Sequence, residues 1–222
     1  MTRYARSPRL LTAAAMMVVV AACDDRAGTV YAPPPAPLAE LAGGAALPYA
    51  EPSRVQYYEP ERGYQWAERA YGQQRSVYDA PPDYGFYYDD EVSPYVWETA
   101  DDWTLYAEPS AGDYRYYYYE PGAARPYFIR DHDYGYAFDP AGLLVAVFYA
   151  DGRYAPRDVV LRSAPLAGRY YARGYDLRRT SYKARRIAVD DRVWVADAPR
   201  VTRAADPWLR AARDDRRWRE WR

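Results

Sequence analysis

The residues that most readily carry chemistry are scarce in this chain, which has one cysteine, Cys23, and one histidine, His132. A site built on two or more histidines is therefore excluded, including the H-E-x-x-H zinc motif. Neither a G-x-S-x-G elbow nor a Walker loop is present. His132 lies in "RDHDYGY", where Asp131 and Asp133 would orient an imidazole or help hold a metal. On a strand, however, successive side chains point to opposite faces, so His132 turns away from both carboxylates. A solvated turn between two strands is the expectation, with no catalytic residue, no metal and no cofactor assigned.

Carboxylate chemistry needs no such motif. A glycosidase requires only two carboxyl groups about 5 to 9.5 Å apart, and Asp89, Asp90, Glu91, Glu98, Asp101 and Asp102 supply candidates. The same oxygens suit Ca²⁺, but no D-x-D-x-D-G loop frames them, and solvated acidic loops are expected. Tyrosine is the other abundant polar group, with 27 in 222 residues. In "YRYYYYEPG" a strand places Tyr114, Tyr116 and Tyr118 on one face and Tyr117 and Tyr119 on the other. One set can pack the core while the other stays exposed. Tyr116, Tyr118, Tyr134 and Tyr136 are the candidates for an aromatic surface that stacks on sugar rings, although packing of the core is the favoured role for these rings.

The elements that must position these groups follow from the pattern. "EPERGYQWAERAYGQQRS" predicts a helix with Pro60 near its start and Tyr64, Ala67 and Tyr71 on one face. From Val77 to Ser110 the chain is aromatic, acidic and broken by Pro81, Pro82 and Pro94, which predicts loops and short strands. "YRYYYYEPG", "PYFIRD" and "YGYAFDPAGLLVAVFYADGRY" predict strands, with turns at Asp139 to Gly142 and a primed hairpin turn at Asp151 and Gly152. Further strand pairs are expected in "GRYYARGYDLRR", turning at Gly174, and in "RRIAVDDRVWVAD", turning at Asp190 and Asp191. "ADPWLRAARDDRRWREWR" predicts a closing helix with Asp206 as N-cap and Pro207 at its first position. The expected fold is α+β: a small antiparallel meander from about Tyr114 to Ala196, flanked by an N-terminal and a C-terminal helix, with long irregular aromatic loops.

Charge is divided unevenly along the chain. Residues 24–140 hold 8 basic and 21 acidic side chains, and residues 141–222 hold 19 and 10. Attraction between the two parts inside one fold is the favoured reading. If the basic part faces outward, anionic lipid headgroups are the nearest partner, and nucleic acid is not expected.

The first residues have the order of an export signal: Arg3, Arg6 and Arg9, then the apolar "LLTAAAMMVVVAA", then small residues before Cys23. That run is shorter than the about 20 residues that span a bilayer. Val20, Ala21, Ala22 and Cys23 resemble the lipobox of bacterial lipoproteins, and the resemblance implies cleavage before Cys23 and acylation of its sulfur and amino group. A Cys and His nucleophile pair would then be unavailable. Two or three acyl chains anchor firmly, because each buried methylene contributes about 0.8 kcal/mol. Asp24 and Asp25 resemble an inner-membrane retention signal of enteric bacteria, and the 29 Arg to one Lys leave inner against outer membrane open. "WAERAYGQQRSVYDAPPDYGF", "YVWETADDW" and "YYYYEPGAARPYFIRDHDYGYAF" resemble a group of uncharacterised Tyr-rich bacterial envelope lipoproteins, a resemblance that implies location and fold but no activity.

The expected organisation is a signal peptide over residues 1–22, a lipidated Cys23 with a Pro and Ala-rich tether over 23–56, and one Tyr-rich domain over 57–222. The expected role is a non-enzymatic, lipid-anchored protein facing the periplasm that binds peptidoglycan or another envelope protein. The alternative is a carboxylate-dependent hydrolase of envelope glycans.

Overall fold

The computed structural model describes residues 46–89, 92–110 and 113–222. Cys23, the signal segment, the tether as far as residue 45, Asp90 and Glu91 lie outside the described residues. The centre is a seven-stranded antiparallel sheet in which every strand lies beside its neighbours in sequence. Its strands are β1 (Tyr84–Gly85), β2 (Tyr95–Glu98), β3 (Thr104–Ser110), β4 (Asp113–Tyr119), β5 (Phe128–Arg130), β6 (Tyr134–Phe138) and β7 (Leu144–Tyr149). Four helices surround it: α1 (Pro60–Val77), α2 (Arg157–Ser181), α3 (Asp191–Asp214) and α4 (Arg216–Trp221). The α+β meander flanked by helices is thus the fold, with a sheet that begins and ends earlier than expected, at Tyr84 and Tyr149.

The sheet is covered on both faces. Tyr116, Tyr118, Phe128 and Phe148 pack with Tyr64, Trp208 and Trp218 of α1, α3 and α4. Tyr106, Tyr117, Tyr119, Ile129 and Tyr136 pack with Val160, Ala164, Tyr170 and Leu177 of α2. Because each face meets a helix layer, both sets of tyrosines in β4 are buried, rather than one set as expected. Burial of each large side chain contributes roughly 1.5 to 3 kcal/mol.

Two expected hairpins do not form, the first being wholly helical and the second helical from Asp191 onward. "GRYYARGYDLRR" lies inside α2, whose Val160, Ala164, Ala167, Gly174 and Leu177 recur at helical spacing and meet the sheet. Its glycines are sites of close approach, not turns: a Cβ on Gly174 would lie 2.7 Å from Pro126, and one on Gly168 would lie 2.3 Å from the Glu51 carbonyl oxygen. The Asp190 and Asp191 turn is the start of α3, where the Asp190 carboxylate accepts from the Arg192 and Val193 N–H groups. α3 continues through Pro199 and Pro207, so Asp206 lies in its interior instead of capping it. Burial of Val201, Ala205, Trp208, Ala211 and Ala212 along one stripe outweighs the propensity cost of the prolines. The break falls later, at Asp215, whose carboxylate accepts from the Trp218 N–H and opens α4. α1 forms as expected, with Pro60 in its first turn and Tyr64, Ala67 and Tyr71 buried.

Three hairpins share one turn device. In Thr99 to Trp103, Asp139 to Leu143 and Tyr149 to Arg153, the fourth residue donates to the first and the first donates to the fifth. The fourth residue is left-handed in each: Asp102 at φ 61°, Gly142 at 79° and Gly152 at 79°. The Asp151 and Gly152 turn is therefore a three-residue loop closed by a left-handed glycine, not a primed two-residue turn, which would require a positive φ at Asp151 as well.

Both sheet edges are occupied. The β7 edge takes residues 54–58, with the Leu144 N–H donating to the Arg54 carbonyl (2.9 Å) and the Gln56 N–H donating to the Leu144 carbonyl (3.0 Å). The β1 edge takes Ile187, which exchanges two backbone hydrogen bonds with Gly85. Residues 47–56, expected as tether, are thus part of the domain. Arg169 also donates to the carbonyls of Leu47 and Pro48. Among the described residues no helix is long and apolar enough to cross a membrane.

Candidate functional site

The expected aromatic surface is not at the surface. Tyr116, Tyr118 and Tyr136 are buried and Tyr134 is half-buried, so their rings are not available to stack on a glycan. Their hydroxyls instead hold the layers together. Tyr116 donates to the Val201 carbonyl of α3 (2.6 Å) and Tyr118 to Gln74 of α1 (2.8 Å), while Tyr119 donates to the Gly174 carbonyl of α2 (2.7 Å). A buried phenol left unpaired would cost about 1 to 3 kcal/mol, so each bond also fixes where its helix can sit.

Many phenols end on carboxylates. Tyr95 and Tyr114 both donate to Asp197 Oδ2 of α3, at 2.8 and 2.7 Å. Tyr78 donates to Asp206 (2.5 Å), Tyr64 to Asp215 (3.4 Å) and Tyr84 to Glu98 (2.8 Å). Donation to Asp206 followed by burial pushes Tyr78 up to about 12. Burial and the Asp215 charge do the same for Tyr64, also to about 12. Burial first, then the shared Asp197 bond, raises Tyr95 and Tyr114 as well.

One cluster between the sheet and α2 is charged. Glu108, 2% exposed, accepts from Arg115 (3.1 Å), Tyr117 (2.7 Å) and Arg173 (2.6 Å). The Arg115 guanidinium lies 4.0 Å over the Tyr170 ring and that of Arg173 lies 3.7 Å over the Tyr88 ring. Asp131 borders this cluster. It accepts from the N–H groups of Asp133 (2.8 Å) and Tyr134 (2.7 Å), and burial raises its carboxyl pKa. His132 does point away from it, with Nδ1 3.0 Å from Asp113 Oδ2, and that hydrogen bond raises its pKa. The two flanking aspartates and the imidazole are therefore not assembled into one site. Among the described residues no group of three or more His, Cys, Asp and Glu side chains is placed to hold a metal ion.

The expected carboxylate candidates also disperse. Glu98 is held by Arg186 through two bonds of 3.1 Å and by Tyr84, and Asp89 accepts from the Val92 N–H. Asp102 forms a turn, while Asp101 borders a groove of about 280 Å³ beside Arg69, Gln73 and Trp103.

A larger groove of about 500 Å³ lies between the start of α1 and α4. Trp221 forms its aromatic side, backed by the buried Tyr64, and Glu59, Glu61, Glu220 and Arg217 line the remainder. It exists because α4 folds back on α1: Trp221 donates to the Glu61 carbonyl (2.9 Å), and Trp218 and Arg222 both donate to Glu68 Oε2 (2.8 and 2.7 Å). Glu220 is paired with Arg216 at 2.7 Å. Sequence reasoning missed this site because its two sides lie about 160 residues apart, and no local pattern joins Glu61 to Trp221. An indole half-open to solvent, ringed by carboxylates and one guanidinium, offers an apolar face to a sugar ring and acceptors to its hydroxyls. Comparison with protein-family models, curated proteins and solved structures returns no match.

Proposed function

We propose that the protein is a lipid-anchored, non-enzymatic component of a bacterial envelope that binds cell-wall glycan in the groove between α1 and α4. The observation that carries the reading is the pairing, in one groove of about 500 Å³, of the half-open Trp221 ring with Glu59, Glu61 and Arg217. The resemblance of Val20 to Cys23 to a lipobox supports the anchor, and the internal use of Tyr116, Tyr118 and Tyr136 moves the binding surface to this groove. The three glutamates favour one second reading, hydrolysis of the same glycan by a carboxylate pair.

Retention on purified peptidoglycan separates these possibilities. Trp221→Ala is expected to abolish retention, while Tyr116→Phe and Tyr118→Phe leave it unchanged. Equal retention of the Trp221→Ala protein, with its circular dichroism intact, refutes the groove. Release of new reducing ends, lost in Glu61→Gln, replaces binding by hydrolysis. Cys23→Ser is expected to abolish fatty-acid labelling and membrane association, and membrane retention of that variant refutes the anchor.

A further inference from the structure

The basic surplus of the second half of the chain is turned outward, and the reason lies in the tyrosines. α3 carries Asp197 and Asp206 toward the sheet and α1, where they accept from Tyr95, Tyr114 and Tyr78. A phenol satisfies a carboxylate without bringing a positive charge, and among the described residues Arg200 is the one arginine of α3 paired with either of them, at 3.6 Å from Asp197. Arg192, Arg203 and Arg210 are exposed and, among the described residues, have no carboxylate partner. They are spaced eleven and seven residues apart, each within about 20° of whole helical turns, so they form one line down the solvent side of α3, about 27 Å long.

The line begins where the surface is also apolar. Five large hydrophobic side chains are exposed among the described residues, and three of them, Tyr182 (67%), Val193 (54%) and Val195 (71%), fall in the connector between α2 and α3 and the first turns of α3. Lys183 and Arg185 are exposed between them and are likewise unpaired among the described residues. Asp190 is occupied in capping α3, and Asp191 and Asp214 are the exposed carboxylates at the two ends of the line. Cations flanking protruding aliphatic and aromatic groups suit the boundary between anionic headgroups and acyl chains.

The path of the chain points the same way. The Ser53 N–H donates to the Ala164 carbonyl (2.9 Å), and Arg169 holds the carbonyls of Pro48 (3.3 Å) and Leu47 (3.1 Å). Followed back from Ser53 to Leu47, the segment therefore moves along α2 toward its C-terminal end, which runs into Tyr182.

We infer that the connector and the outer side of α3 form a membrane-facing surface that lies against anionic phospholipid. The inference rests on the lipid-anchor reading only for bringing the domain to the bilayer. Tyr182, Val193 and Val195 enter the interface, and Lys183, Arg185 and Arg192 pair with headgroup phosphates. The effect falls off within a Debye length and is weakened by salt.

The test places a polarity-sensitive fluorophore at Val195→Cys in the full lipidated protein, reconstituted on vesicles with spin-labelled lipid, with Arg219→Cys on α4 as the control position. On vesicles containing phosphatidylglycerol, quenching at position 195 is expected to exceed the control several-fold. It is expected to fall to the control value on pure phosphatidylcholine, and in the background Lys183→Gln, Arg185→Gln, Arg192→Gln, which lowers surface affinity on the order of a hundredfold. Equal quenching at the two positions on anionic vesicles overturns the inference. Quenching at position 195 that survives the triple substitution overturns it too. Failure of the anchor gives a different result, because the protein then remains in the supernatant of neutral vesicles and Cys23 accepts the label.

Discussion

Alkaline pH should unfold this protein cooperatively, and the structure sets the scale. Tyr64, Tyr116, Tyr117, Tyr119 and Tyr136 are less than 2% exposed, and burial is the first cause raising the pKa of each, Tyr64 to about 12 and the others well above the usual phenol range. In the unfolded chain their phenols ionise around pH 10, while in the folded protein they stay neutral well above it. Stability is therefore fully present below the unfolded value and is lost as pH rises through 10 toward the folded values, because the unfolded state sheds protons that the folded state retains. Each buried phenol contributes a loss of about 0.4 kcal/mol at pH 10 and about 1.4 kcal/mol at pH 11. Five such groups lose about 2 and about 7 kcal/mol, against a typical net stability of about 5 to 15 kcal/mol. The midpoint is expected between about pH 10.5 and 12. Phenolate absorbance and far-ultraviolet circular dichroism should change together there in one steep step. A single broad phenolate curve centred near pH 10, with dichroism unchanged through about pH 12, would refute the reasoning, because the buried hydroxyls would then be ionising inside a folded protein.

Three substitutions test other parts of the fold. Glu108→Gln leaves Arg115 and Arg173 buried without their counter-charge and is expected to cost about 3 to 5 kcal/mol, read as a lower urea midpoint at an unchanged slope. Asp102→Gly relieves the left-handed backbone at φ 61° and is expected to stabilise by about 0.5 kcal/mol, or about 1 to 2 °C in Tm. Gly168→Ala places a Cβ 2.3 Å from the Glu51 carbonyl oxygen, so residues 47–56 should become susceptible to limited proteolysis, with a loss of about 1 to 3 kcal/mol on thermal or urea unfolding.

The parts of this fold that were legible in the sequence are those whose determinants are local. Pro60 with Tyr64, Ala67 and Tyr71 defined α1, the run of β-formers in residues 114–119 defined β4, and alternation in residues 134–138 defined β6. The misread elements are those in which a tertiary contact changes what a residue means. Gly174 resembles a turn residue, yet Gly168 and Gly174 are where α2 must touch the backbone of residues 51–53 and the side chain of Pro126. Pro207 resembles a helix start, yet the buried stripe around Trp208 carries α3 through it. The tyrosines were misplaced for a related reason: period two separates the faces of β4 but does not say that α2 covers the second face. The groove at Trp221 was illegible because it depends on α4 returning to α1.

The division of charge between the two halves of the sequence also acquires a physical account. Mutual attraction was the favoured reading, and it holds for Arg173 with Glu108, Arg186 with Glu98 and Arg222 with Glu68. Most of the second half's basic residues do something else. Their acidic neighbours Asp197, Asp206 and Asp215 are turned inward and satisfied by Tyr95, Tyr114, Tyr78 and Tyr64 from the first half. A lysine or arginine in those tyrosine positions would neutralise each carboxylate but would have to be desolvated, at a cost of several kcal/mol per ion. Phenylalanine would fill the same space and take that donor away from the carboxylate. Tyrosine is the side chain that buries a large apolar ring and still supplies one neutral donor at its tip. The high tyrosine content and the cationic exterior of α3 are therefore linked: phenols hold the acids inside, joined by Arg200 at Asp197, and Arg192, Arg203 and Arg210 are left facing out.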